Sequence, residues 1–133
     1  MTLMAQDRKI PAPAVNAEVK AYFDAAAEGR LLVKRCKACG EFHHYPRALC
    51  PHCFSADTEW LQVKGTGEIH TYSVLRRGVP VPYCIAYVTL DEGVSMVTNI
   101  VDCDLDAVRI GQKVKVVFKP TDGGAPVPMF API

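Results

Sequence analysis

Between Asn16 and Gly29 the apolar residues Val19, Tyr22, Phe23, Ala26 and Ala27 return at three- and four-residue spacing, the signature of a helix with one apolar face. Asn16 is a suitable N-cap, Glu18 suits the positive end of the helix dipole and Gly29 is a stop signal. A helix of about 13 residues is marginal alone in water, so its face must be covered, by the rest of the chain or by a second subunit. Before it, Met1 to Pro13 shows no periodicity and is broken by prolines, which predicts an extended or mobile arm.

After the helix the period changes to that of strands. Leu31-Leu32-Val33 and Thr58 to Lys64 predict a short strand and its return, and Gly65-Thr66-Gly67 then breaks the chain. Four β-rich runs follow, Glu68 to Arg76, Tyr83 to Leu90, Val94 to Val101 and Lys113 to Lys119. Asp91-Glu92-Gly93 predicts a hairpin turn between the second and third. Such short strands suit a small closed barrel of the OB type, with Ile69, Val74, Ile85, Tyr87, Val97 and Val116 or their immediate neighbours facing in. The segment Pro120 to Ile133 holds four prolines and two glycines, which argues against a central strand. Its Val127, Met129, Phe130 and Ile133 call for a surface on the barrel or on a partner. The expected architecture is therefore mainly β: arm and helix over 1–29, a ribbon over 30–64, and a barrel with its tail over 65–133.

The ribbon is defined by chemistry. Cys36-Lys37-Ala38-Cys39-Gly40 and Cys50-Pro51-His52-Cys53 are two C-x-x-C pairs with ten residues between them. Each pair can aim two thiolates at one ion from a tight turn, and four thiolates complete a tetrahedral, structural site with no open position. Zinc is the default and iron the alternative, because Cys₄ spacing alone does not separate them. Disulfides would need a secretory context, and no apolar leader precedes the motif; a redox C-x-x-C would need a βαβ setting, which the following strands do not provide. His43, His44 and His52 are expected at the surface or behind the ligands. Cys84 and Cys103 lie in apolar runs and are expected as small buried hydrophobes of a reducing, cytoplasmic protein.

Charge is uneven along the 133 residues. Residues 1–29 carry three basic and four acidic side chains, residues 30–64 six and three, and residues 65–133 six and seven. Lys34, Arg35, Lys37 and Arg47 flank the thiolates, where they can offset the formal −2 of a zinc tetrathiolate or bind phosphates such as those of coenzyme A. The aspartates 102, 104 and 106 form an acidic cluster that lacks the spaced Gly and bidentate Glu of an EF-hand, and they read as solvated turn residues. No serine triad, phosphate loop or carboxylate pair stands out, and no apolar run is long enough to span a bilayer.

Taken in order, Tyr22-Phe23, Gly29-Arg30-Leu31, the two cysteine pairs, Pro46-Arg47, Gly65-Thr66-Gly67-Glu68-Ile69, Pro82-Tyr83 and Leu90-Asp91-Glu92-Gly93 resemble the DUF35 family from Asn16 onward. Phe54, where a glycine or small residue is usual, departs from that pattern. The resemblance implies an N-terminal helix, a rubredoxin-like zinc ribbon and an OB-fold. It also implies a non-catalytic accessory subunit for thiolase-like acyl-CoA enzymes, including the SCP2-thiolase type, with acyl-CoA as a ligand. A hetero-oligomer is expected, or a homodimer through the helix, and no membrane. The rival reading is a single-stranded nucleic-acid binder. It is disfavoured because the barrel segment is net −1 and Tyr72, Tyr83, Tyr87 and Phe118 lie in alternating strands.

Overall fold

The computed structural model describes residues 3–133. One helix, α1 (Lys20–Ala27), precedes a three-stranded sheet of β1 (Leu31–Cys36), β2 (Phe42–His43) and β3 (Thr58–Val63). A closed barrel follows, built from β4 (Thr66–Leu75), β5 (Tyr83–Leu90), β6 (Ser95–Ile100), β7 (Lys113–Lys119) and β8 (Val127–Pro132) in the order β4-β5-β6-β8-β7. This is the expected OB arrangement, a five-stranded barrel with a Greek-key crossing. No helix among the described residues is long and apolar enough to cross a membrane.

The helix has eight residues rather than about 13, because Asn16 caps a separate turn. Its Oδ1 accepts from the backbone N–H of Glu18 (3.0 Å) and Val19 (3.2 Å), and regular helix starts only at Lys20. At the other end Gly29 takes φ +79°, with Gly29 N–H donating to Ala26 O and Arg30 N–H to Ala25 O, the paired bonds of a Schellman cap. The buried face is Val19, Tyr22, Phe23, Ala25 and Ala26, with Ala27 exposed, and it packs into one core shared by the ribbon and the barrel. Of the two ways to cover this face, the rest of the chain is the one the structure uses.

The tail is the largest departure. Residues Val127–Pro132 form the closing strand, paired with β7 from Lys119↔Val127 to Val114↔Pro132, and Phe130 is fully buried. The prolines permit this because of the side they face. Thr98 Oγ1 donates to Pro128 O and Val101 N–H to Phe130 O, so the even-numbered groups point to β6, where only Ile100↔Phe130 pairs. The missing N–H groups of Pro128 and Pro132 fall on that sparsely bonded side, and the full ladder to β7 is kept.

The inward parity of β5 and β6 is one residue from that expected. Cys84, Ala86, Val88 and Leu90 face in with Met96, Thr98 and Ile100, whereas Ile85, Tyr87 and Val97 are a third to a half exposed. Hydropathy favours the larger set, but a narrow barrel around Phe130 accepts alanine and cysteine more readily than isoleucine and tyrosine. Register fixes the choice. Gly67 pairs with Leu90, and a Cβ at Gly67 would meet Thr89 O at 2.4 Å, so the two backbones can lie this close only with glycine there. Ile69 is inward as expected, Val74 and Val116 are half-buried against the core, and the turn at Asp91-Glu92-Gly93 is present with Gly93 at φ +94°.

The arm is extended but not free. Leu3 N–H donates to Asp104 Oδ1 (2.8 Å), Leu105 N–H to Leu3 O, Ala5 N–H to Cys103 O and Asp122 N–H to Ile10 O, so residues 3–11 form a strap along the barrel.

Candidate metal centre and its surroundings

The two cysteine turns are copies of each other, with 36, 40 and 41 in the first matching 50, 54 and 55 in the second. Cys36 N–H donates to Glu41 O (2.9 Å) and Gly40 N–H to Cys36 O (2.8 Å); Cys50 N–H donates to Ser55 O (2.9 Å) and Phe54 N–H to Cys50 O (2.8 Å). In each, an amide donates to the leading sulfur: Cys39 N–H to Cys36 Sγ and His52 N–H to Cys50 Sγ, both at 3.4 Å. Such bonds lower the negative charge that four thiolates bring together.

All four sulfurs lie within 4.8 Å of one another, with Cys36–Cys53 at 3.5 Å and Cys39–Cys50 at 3.7 Å. Zinc–sulfur bonds of about 2.3 Å give a tetrahedron with edges of about 3.8 Å, so the cluster fits one structural ion. Gly40 has φ +80°, and Phe54 reproduces that left-handed conformation at φ +65° with its ring 76% exposed. The departure at Phe54 leaves the turn unchanged; the cost falls on the backbone instead.

None of the three histidines joins the cluster, and two are not surface residues. His43 is 7% exposed beside Lys34, and burial, then the Lys34 charge, lower its pKa. His44 Nε2 lies 2.7 Å from the Tyr22 hydroxyl, bolting the ribbon to the helix, and burial lowers its pKa to about 4. Burial likewise raises the pKa of the Tyr22 phenol.

The four flanking cations part company. Lys34 is buried, with Nζ donating to Arg47 O (3.2 Å) and Thr58 Oγ1 (3.4 Å) and lying 4.7 Å over the Trp60 ring. It is a clasp between the ribbon's loops. Arg35 pairs loosely with Glu59 at 3.9 Å and lies near the Phe42 ring. Lys37 and Arg47 are exposed, and the Arg47 guanidinium lies 5.9 Å over Tyr45, itself half exposed. Phe42 and Trp60 are packed against the core, whereas Tyr45, like Phe54 in the second turn, stays open to solvent.

Each of the three aspartates has structural work. Asp102 binds Lys119 through both oxygens (2.8 and 3.0 Å), Asp104 caps the 3₁₀ turn at Leu105–Ala107 by accepting from Asp106 N–H, and Asp106 pairs with Arg76 at 2.6 Å. Cys84 is fully buried and Cys103 half-buried, and burial raises both thiol pKa values. Tyr72 and Tyr87 are exposed on the barrel rather than packed. A group with no sequence signature lies under the strap, where Arg8 meets Tyr83 and Asn99.

A four-thiolate ribbon packed on an OB barrel through a shared core defines a class of zinc-ribbon proteins in which the ion would be structural, with no open coordination position. The sequence families for the ChsH2 rubredoxin-like zinc ribbon domain and the ChsH2 C-terminal OB-fold domain match residues 23–59 and 60–119. A DUF35 domain-containing scaffold protein of Methanothermobacter thermautotrophicus is 37% identical over 91 residues, 64% of this chain and 68% of that protein. The chain thus belongs to the DUF35 family. A solved structure described as "Ltp2-ChsH2(DUF35) aldolase" is 35% identical with a TM-score of 0.76, covering 90% of this chain and 98% of that one. A DUF35-family protein from Sulfolobus solfataricus, 18% identical with a TM-score of 0.59, shares the fold over 77% of this chain and 79% of its own. The "Probable enoyl-CoA hydratase alpha subunit" of Thermomonospora curvata is 36% identical over 126 residues, 92% of this chain, which spans only 40% of that protein's length.

Proposed function

We propose that this chain is a non-catalytic, zinc-containing accessory subunit of a thiolase- or aldolase-type enzyme that processes acyl-CoA thioesters. One observation carries the reading: at 35% identity it matches 98% of a chain described as part of an Ltp2-ChsH2(DUF35) aldolase, so the likeness covers that DUF35 component almost end to end. The scaffold naming of the archaeal relatives and the coenzyme A chemistry in the name of the Thermomonospora curvata relative support it. The closed metal shell also supports it, because a tetrathiolate ion supplies folding free energy rather than a Lewis acid.

Within that complex, the exposed cations of the ribbon hold the phosphates of coenzyme A. Arg47 is the leading contact, its planar fork suiting bidentate phosphate binding and Tyr45 lying beside it as an aromatic platform. Lys37 and Arg35 add to the field, whereas Lys34 is turned inward and serves the ribbon itself. The test is co-purification with a thiolase-fold enzyme encoded in the same cell, followed by acyl-CoA titration of the assembled complex. Arg47→Ala is expected to weaken acyl-CoA binding by about 1–3 kcal/mol with zinc content and melting unchanged. Retained affinity with lost zinc would reduce the ribbon to a clasp, and turnover of an acyl-CoA by the isolated chain would overturn the accessory role.

A further inference from the structure

The strap brings one half-buried cation, Arg8, onto the barrel. Its Nη2 donates to Asn99 Oδ1 on β6 at 2.7 Å, and its guanidinium carbon lies 4.1 Å above the Tyr83 ring on β5. Together these fix the plane of the fork, and among the described residues Asn99 is its one hydrogen-bond partner, which uses one of five N–H donors. No carboxylate among the described residues lies within ion-pair distance of it. Three cavities meet at Arg8 and Tyr83. The one between strap and barrel encloses about 290 Å³, walled on its apolar side by Ile10, Pro82, Pro120 and Met129. It sits over the second and third barrel strands and beside the loops 76–82 and 120–126, the face that OB barrels generally use for ligands.

Charge narrows the ligand. Lys119 also lines this cavity but is already neutralised by both oxygens of Asp102, and Asp7 is close by on the strap. With Lys119 and Asp102 paired, the remaining charge is the Arg8 guanidinium with one carboxylate, Asp7, nearby, too little positive charge for a phosphate dianion and suited to a monoanion. The volume is at the lower end for ligand pockets and suits a chain of a few carbons.

We infer that Arg8 and this cavity form a binding site for a small monocarboxylate with a short apolar chain, the carboxylate on the free edge of the guanidinium and the chain against Pro82 and Met129. The site is separate from the ribbon and does not depend on the proposed role in an acyl-CoA complex. The rival is that Arg8 only staples the strap to the barrel.

Titration of the zinc-loaded full chain with hexanoate and with hexanamide, followed by backbone amide NMR, separates the two. Hexanoate is expected to give saturable shifts at Tyr83, Asn99 and Val101 that hexanamide does not, and Arg8→Gln should raise the dissociation constant at least about tenfold. Arg8→Lys, which keeps the charge but loses the fork, should fall between. Equal responses to acid and amide, no saturation by about 10 mM, or hexanoate binding that survives Arg8→Gln would each overturn the site. If Arg8→Gln fails to fold, the wild-type comparison of hexanoate with hexanamide decides alone.

Discussion

The paired cysteine turns allow backbone strain to be measured against its own control. Gly40 and Phe54 hold equivalent positions at φ +80° and +65°, and a side chain on Gly40 would meet nothing within 4 Å. The cost of a Cβ there is therefore purely conformational, about 1 kcal/mol once the smaller entropy of an unfolded alanine is set against left-handed strain. Gly40→Ala should weaken zinc binding by that amount, about fivefold. At the second turn the ranking of small residues should invert from the ordinary one, with Phe54→Gly binding zinc about fivefold more tightly than Phe54→Ala. Against the wild type, Phe54→Gly should be nearly neutral. It relieves about 1–2 kcal/mol of strain but gives up about 1 kcal/mol from the quarter of the ring that is covered and about 0.5–1 kcal/mol to backbone entropy. The assay is competition for zinc against a chelator of known affinity, since ribbon folding and metal binding are one equilibrium. Zinc affinity of Phe54→Ala equal to or above that of Phe54→Gly, or an unchanged Gly40→Ala, would refute the reasoning.

Cys36→Ser and Cys50→Ser should lose stoichiometric zinc by elemental analysis and melt earlier, whereas Cys84→Ser, in the barrel, should keep its metal; full zinc in either ribbon variant would sink the assignment. Phe130→Ala should cost about 3–5 kcal/mol in denaturant unfolding because Phe130 fills the barrel, and a loss below about 1 kcal/mol would mean that the last strand is not integral. His44, held near pKa 4 in the fold against about 6.5 when unfolded, contributes stability that is whole above pH 6.5 and lost as pH falls toward 4, about 2 kcal/mol by pH 5. His44→Gln should therefore close that gap to the wild type between pH 7.5 and pH 5, while thiolate protonation affects both proteins alike. Parallel stability profiles would count against a buried neutral imidazole.

Local sequence determined the parts of this protein that obey local rules. Two C-x-x-C pairs at their spacing specify a four-sulfur cluster, because each turn is closed by its own backbone bonds within six residues, 36–41 and 50–55. Strand-forming runs and the Asp91-Glu92-Gly93 turn specify the barrel's hairpins for the same reason. Three matters were decided only by tertiary structure. Which face of β5 and β6 points inward depends on Gly67 meeting Leu90 and on the room around Phe130, neither of which a strand's own alternation records. The fate of Val127–Pro132 depends on which neighbour its prolines face, and that is fixed by the pairing of β8 with β7. The division among Lys34, Arg35, Lys37 and Arg47 depends on burial set by strands far apart in sequence, which encloses Lys34 and leaves Arg47 in solvent. Arg8 is the extreme case: nothing in its proline-broken surroundings distinguishes it, and its role arises entirely from being laid across Tyr83 and Asn99, 75 and 91 positions further along the chain (83 − 8 and 99 − 8).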